Sequence, residues 1–476
     1  MSTYALRMLG GGTTELSKKD VIQFAANLRG ELFTPDSPDY DQLRTVWNGM
    51  VNRKPALIIR CAGVADIMHA VAFARRHRLL VSVRGGGHNI AGSAVCDGGL
   101  MIDLSHMRSV RIDPLRKTAR VEPGCTLADF DHEAQAFGLA TPVGINSTTG
   151  IAGLTLGGGF GWLSRKYGLT VDNLLSADIV TADSQLVTVS KDSHADLFWA
   201  IRGGGGNFGV ITSFEYELHP VGPEVLSGLI VHPFQDAKKV MQFYRQFTAS
   251  LPDEAVVWAV LRKAPPLPFL PQEWHGKEVV VLAVFYEGDA SVGKAVLDPL
   301  RAFGNPIADV VGPHPYAGWQ QAFDPLLTAG ARNYWKSHNF SELSDEALDV
   351  LIDYASQLPS PHTEIFVAQV GGQVSRVGKQ ETPYPHRDAN YILNVHARWE
   401  DPSEDDLCTA WARAFFRDST PFAMGGVYVN FLTQEETDRI QAAYGPNLDR
   451  LVEIKGRYDA GNLFRSNQNI KPGTFA

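Results

Sequence analysis

The residues with the most chemical content are Arg84-Gly85-Gly86-Gly87-His88. They follow the apolar run Leu79-Leu80-Val81-Ser82-Val83, which reads as a buried strand. Three consecutive glycines remove every β-carbon, so the backbone turns freely and a flat ligand can approach it closely. The histidine at the exit of the turn can reach that ligand with its imidazole. Two more clusters follow, Gly157-Gly158-Gly159-Phe160-Gly161 and Gly203–Gly206. No cluster ends in Gly-Lys-Ser/Thr, which removes a Walker loop. Gly157–Gly161 lacks the Gly-x-Gly-x-x-Gly spacing of a Rossmann loop, and Trp162-Leu-Ser-Arg-Lys-Tyr-Gly is a poor helix start. The remaining reading is a set of tight loops around an extended cofactor. Backbone N–H groups bared by such turns can cradle a pyrophosphate without a lysine.

Regular elements must hold these loops. Ala56–Cys61 reads as a strand, and Val64–Arg78 as an amphipathic helix with Val64, Ile67, Val71 and Ala74 on one face. Leu100–Leu104 and Thr118–Glu122 read as strands. Thr126–Gly138 reads as a helix between a threonine N-cap and a glycine C-cap. Ala177–Thr181 and Gln185–Ser190 alternate around Asp183-Ser184 and predict a hairpin. Ala195–Ile201 reads as a short helix, and Val210–Leu218 as a strand. Before residue 50 the texture is mixed, with one helical stretch around Ser17–Arg29.

Near His219–Pro223 glycine thins out. Longer strands such as Glu278–Tyr286 and Glu364–Gly371 then alternate with the helices Ala290–Phe303 and Ser344–Leu358. This predicts a second, α+β domain. The expected division is 1–221, 222–424, and a segment 425–476 that returns to the first domain because it is too short to fold alone.

The chain has 476 residues, 44% apolar and 20% charged, enough for two ordinary globular cores. Its formal charge of −9 supplies no global field for nucleic acid or acidic lipid. The run Arg75-Arg76-His77-Arg78 reads as a solvated helix end. Four cysteines, Cys61, Cys96, Cys125 and Cys408, form no Cys-x-x-Cys pair, metal-finger spacing or disulfide framework. The N-terminus lacks the apolar core of a signal peptide, and no stretch is long and apolar enough to span a bilayer. These features lead to the expectation of a cytoplasmic monomer or small homo-oligomer without a metal, a nucleic-acid partner or a membrane.

The stretch Val83–Asn89 resembles the covalent-flavin segment of the vanillyl-alcohol-oxidase-type (PCMH-type) flavoproteins. So does Gly150-Ile-Ala-Gly-Leu-Thr-Leu-Gly-Gly-Gly-Phe-Gly-Trp-Leu-Ser-Arg-Lys-Tyr-Gly-Leu-Thr-Val-Asp-Asn173. Within that group the chain is similar to the berberine-bridge-enzyme-like branch. Its tail carries Tyr428-Val-Asn430, Lys455-Gly-Arg-Tyr-Asp459, Asn462-Leu-Phe464 and Asn467-Gln-Asn-Ile-Lys-Pro472 in the manner of that branch. The resemblance runs from about Val46 onward. It implies an α+β fold: a two-part FAD-binding domain, with a core at about 51–221, plus an α+β substrate domain built on an antiparallel sheet.

The resemblance also implies roles. His88 corresponds to the histidine that bonds to the flavin 8α-methyl, a tether that makes the flavin a stronger oxidant. Many relatives add a cysteinyl bond; Asn146 stands at that position, so one bond is expected. Val83, Arg84, Gly85, Gly86, Gly87, Asn89, Thr149, Gly150, Gly153, Gly157, Gly158, Gly161, Val210, Tyr428, Asn430, Asn467 and Asn469 are expected around FAD. Tyr428 is the expected catalytic base, its hydroxyl pKa lowered by a cationic neighbour or by the flavin. Asn394 stands where several relatives have a carboxylate or glutamine. It can orient a substrate but cannot take its proton, which brings in His396 on the same strand face. The implied activity is oxidation of an alcohol-type carbon in a sugar, oligosaccharide or phenolic natural product, with reoxidation by O2 or another acceptor. The other reading is a flavin-containing binding protein without turnover.

Overall fold

The computed structural model describes residues 3–473. The first layer is a four-stranded sheet in the order Glu31–Phe33, Leu57–Arg60, Leu100–Asp103, Val81–Arg84. Leu57–Arg60 and Val81–Arg84 both run parallel to Leu100–Asp103. Leu57, Ile58 and Ile59 are wholly buried, as a strand covered on both faces must be. The helix Val64–His77 makes the crossover. It ends at Arg78 in the left-handed region, and Arg75 and Arg76 lie exposed in its last turn, where cations complement the helix dipole. An N-terminal hairpin, Thr3–Arg7 with Thr13–Ser17, was not anticipated. The helix after it, Lys18–Ala25, is capped by the Ser17 hydroxyl and is shorter than the pattern suggested.

The second layer is an antiparallel sheet in the order Leu186–Ser190, Leu174–Val180, Val210–Glu217, Thr118–Val121, Val110–Asp113. The expected hairpin is there, and so is the helix Ala195–Ile201. The helix after Thr126 starts as expected, with a capping box between Thr126 and Asp129. It stops at Gln135 rather than Gly138, because Gly138 takes a φ of 65° and begins the loop. The glycine-rich stretch between these strands contains two short helices, Ile151–Leu156 and Ser164–Tyr167, the second where a helix looked unfavourable.

The third layer is an eight-stranded antiparallel sheet. Its main path is Ala308–Asp309, Glu224–Pro233, Glu278–Tyr286, Ala255–Lys263, Glu364–Gln369, Tyr391–Trp399, Arg332–Phe340, and Gly312–Pro315 pairs beside Glu224–Pro233. One face packs an aliphatic core against the helices Ala237–Thr248, Asp345–Ala355 and Asp405–Ser419. The other face, with Trp258, Phe285 and Phe366, packs against Phe160, Trp162 and Tyr428. The architecture is α+β.

Two motif residues join the layers. Arg165 is buried and donates to the carbonyls of Ala255, Val370 and Leu251 on the large-sheet side. Asp172 receives a two-pronged ion pair from buried Arg387 at 2.7 and 2.8 Å. The tail helix Leu448–Tyr458 inserts Leu451 and Ile454 into the core of the second layer, and Leu463 and Phe464 reach the core of the first.

Candidate active site: two histidines across one cavity

A cavity of about 360 Å³ lies between the glycine loops and the bare face of the large sheet. Its floor begins where Val81–Arg84 runs into the glycine turn. Gly87 has a φ of 69°, open to glycine at little cost. Gly86 and Gly150 meet back to back: a β-carbon on Gly86 would lie 2.5 Å from the Gly150 Cα. The two loops can touch only because both residues are glycine. Val83, Gly85, Gly86, Gly87, His88, Asn89, Thr149, Gly150, Gly153 and Val210 all line the cavity.

His88 lies flat against Trp47, ring centroids 4.3 Å apart at 22°. Its Nε2 is buried and has no hydrogen-bond partner among the described residues. Burial pushes its pKa down to about 4, so the imidazole is neutral and its unprotonated ring nitrogen nucleophilic over the ordinary pH range. Asn146 lies on the cavity wall. Its Oδ1 accepts from the Thr148 amide at 3.0 Å and the Thr148 hydroxyl at 2.6 Å. Cys96 and Cys125 are buried away from the cavity lining.

Several expected cofactor contacts lie elsewhere. Arg84 turns from the cavity to donate to the Leu43 carbonyl. Gly157, Gly158 and Gly161 do not line it either. A β-carbon on Gly157 would meet the Asn430 side chain at 2.3 Å, one on Gly158 would touch the Tyr428 ring at 3.4 Å, and one on Gly161 would strike the Val143 carbonyl at 1.8 Å. These glycines make room for the Tyr428-Val-Asn430 segment and for chain crossing. Asn467 lines the cavity, and its amide donates to the Gly206 carbonyl at 3.0 Å while its Oδ1 is buried without a partner. Asn469 is set back from the lining, with Oδ1 likewise unpartnered.

The third glycine cluster also reaches the cavity. Gly205, Gly206 and Gly209 line the same cavity. The loop is held by Lys455, whose wholly buried ammonium donates to the Asn207 carbonyl at 2.6 Å, the Phe464 carbonyl at 2.9 Å and the Asp459 carboxylate at 2.7 Å. Removing one partner of such a pair costs about 3–5 kcal/mol. The Lys455–Asp459 spacing is that of one helical turn, and the tail motif is thus a strap.

The roof is one cross-strand row. Arg262 pairs with Glu364, Glu364 with His396, and His396 with Trp335, across four adjacent strands. Arg262 Nη1 donates to Glu364 Oε2 at 2.7 Å. Glu364 Oε1 and His396 Nδ1 are 3.1 Å apart, and the His396 ring stacks on Trp335 at 4.3 Å and 18°. Burial opposes ionisation of Glu364, but Arg262 and the His396 hydrogen bond win and hold its pKa at about 2. An ionised Glu364 can only accept, so the His396 Nδ1 donates to it, and a neutral imidazole in this tautomer presents Nε2 as an acceptor with no protein partner among the described residues. Glu364 and Arg262 carry no sequence spacing that links them to His396; only the register joins them.

Asn394 does face the same side as His396, yet it lies wholly buried behind the lining with both amide atoms unpartnered. Tyr428 lines the cavity. Its hydroxyl oxygen accepts from the Gly159 amide at 2.9 Å and the Asn430 amide at 3.0 Å. No cation neighbours it among the described residues. Burial outweighs the two hydrogen bonds and pushes the hydroxyl up to about 12. The expected lowering by a cation is thus not supplied by the protein: in these surroundings Tyr428 holds its proton and can donate it into the cavity, and lowering by the flavin is the expectation that remains.

Residues 55–190 match the FAD binding domain model, and residues 427–471 match the berberine and berberine-like model. A FAD-linked oxidoreductase of Dictyostelium discoideum is 31% identical over 95% of this chain and 97% of its own. The chain belongs to the berberine-bridge-enzyme-like FAD-linked oxidoreductases. The (R)-6-hydroxynicotine oxidase of Paenarthrobacter nicotinovorans is 30% identical over 94% of this chain and 97% of its own. The crystal structure of 6-hydroxy-D-nicotine oxidase from Arthrobacter nicotinovorans superposes with a TM-score of 0.84 at 27% identity, covering 94% of this chain and 98% of that one. This berberine-bridge-enzyme-like chain is thus an oxidoreductase with FAD as cofactor, acting on a small molecule and passing electrons to an acceptor. The site fits FAD: the glycine cradle admits a flat group, and His88 Nε2 and Asn467 Oδ1 are buried polar atoms awaiting partners.

Proposed function

We propose that the chain oxidises an alcohol-type carbon with an FAD bonded once, through His88, and reoxidised by O2 or another acceptor. The carrying observation is the buried, unpartnered His88 imidazole on the floor of a cavity whose roof presents a carboxylate-backed histidine. The loops around Gly86, Gly150 and Gly205–Gly206 would hold the cofactor, with Asn467 and Val210 beside them. Asn146 has no thiol to offer, which supports a single bond.

Bound there, FAD supplies the two-electron acceptor for the C–H bond next to the hydroxyl. His396 Nε2 takes the hydroxyl proton as the carbonyl forms. Glu364 holds the imidazole tautomer and stabilises the resulting imidazolium, and Arg262 fixes Glu364. Tyr428 donates to the substrate oxygen and orients it. The test is an anaerobic titration of the yellow holoenzyme with alcohols. Bleaching of flavin absorbance is expected; a flavin reduced by dithionite but by none of a broad alcohol panel would overturn the reading.

A further inference from the structure

The roof half of the cavity states what kind of alcohol it accepts. Its wall is built from Leu229, Val231, Val260, Leu267, Phe269 and Val281, on the strands Glu224–Pro233, Ala255–Lys263 and Glu278–Tyr286 and the loop after the second. Leu229, Val260, Leu267 and Phe269 are only half-buried: their apolar surface is open to the cavity. Aromatic faces continue the wall at Trp258, Phe366 and Trp335. Arg262 and Glu364 are the only ionised side chains among the described lining residues, and they neutralise each other at 2.7 Å. Hydrogen-bonding capacity on this half is small. It comprises His396 Nε2, the Arg262 guanidinium edge left over from its bonds to Glu364 and the Lys263 carbonyl, and the indole N–H groups of Trp335 and Trp162, both buried without partners among the described residues, with the Tyr428 hydroxyl beside them.

We infer that the substrate is an uncharged, largely apolar alcohol with one or two oxygen atoms, such as an alkyl-substituted benzylic or allylic alcohol, and that saccharides and carboxylates are excluded. A hydroxyl or carboxylate set against the Leu229–Val260–Val281 wall would lose water and gain no partner, which is costly. An oligosaccharide presents many such hydroxyls. An apolar tail instead displaces water from surface that is otherwise wetted and hydrophobic. The inference rests on the proposed alcohol oxidation, but its binding test does not.

The test uses the holoenzyme and the perturbation of its flavin absorbance on binding. Benzyl alcohol and its 4-methyl, 4-ethyl, 4-propyl and 4-butyl homologues are compared with 4-carboxybenzyl alcohol and xylotriose. Dissociation constants should tighten about fourfold per added methylene until the cavity fills. 4-Carboxybenzyl alcohol and xylotriose should bind at least about 10²-fold more weakly than 4-butylbenzyl alcohol. Leu229→Asn should weaken the butyl homologue about tenfold while leaving benzyl alcohol within about twofold. A flat homologue series, or tighter binding of xylotriose or the carboxylate, overturns the inference. Graded binding with no flavin bleaching would leave the inference standing and refute the proposed oxidation.

Discussion

His88 and His396 make an instructive pair. Each lies flat on a tryptophan at 4.3 Å, and the two tryptophans, Trp47 and Trp335, meet edge to face at 5.7 Å. The difference lies behind each ring. Behind His396 stands an ionised carboxylate locked by Arg262. His88 has no carboxylate partner, an orphaned Nε2, and a pKa driven down by burial. The same side chain is thus set in two surroundings: one histidine is hydrogen-bonded to a carboxylate, and the other resists protonation and stays a nucleophile. Second partners, not residue type, assign the roles.

That contrast can be broken at either end. The largest kinetic effect is expected at the roof: His396→Gln should slow anaerobic flavin reduction about 10²–10⁴-fold with the flavin retained, and Glu364→Gln should follow in the same direction. Reduction at the parent rate would show that His396 merely lines the wall. Tyr428→Phe should slow reduction by about 10–10²-fold, the loss of one donated hydrogen bond to a reacting oxygen. A larger collapse would return the base role to Tyr428.

The floor is tested by pH. Because burial holds His88 near a pKa of about 4, well under the histidine norm of about 6.5, attachment of added FAD to apoprotein should be flat from about pH 8 to pH 5. It should fall about tenfold only a unit below the buried pKa, where the imidazole is protonated. A fall beginning at pH 6.5 would mean an exposed, ordinary histidine. The smallest effect is expected for Asn146→Ala, which should leave the amount of bound flavin within about 10% of the parent, measured by flavin absorbance after acid precipitation.

Much of the floor was legible in the sequence because its signals are local. A strand followed by glycines and a histidine declares its own geometry, and Tyr428-Val-Asn430 is contiguous. The hairpin after Leu174 and the helix at Ala195–Ile201 were readable for the same reason. The roof was not. Asn394 and His396 were placed on one strand face by alternation alone, but Arg262 and Glu364 come from strands remote in sequence, and register alone brings them to His396. Alternation also could not say that Asn394 sits behind the lining. The misplacement of Gly157, Gly158 and Gly161 has a related cause: glycine marks a close approach, but not whether cofactor or chain does the approaching. Arg165, Asp172 and Lys455 look like parts of binding motifs and are structural ties between layers and loops.

The division of labour between the two histidines is tested most directly by flavin fluorescence of denatured chains on a gel. The parent, His88→Ala and His396→Ala proteins are expressed with ample riboflavin and run side by side. A fluorescent band is expected for the parent and for His396→Ala, and none for His88→Ala. Fluorescence that stays with the His88→Ala chain, or a parent band that is dark, would contradict it.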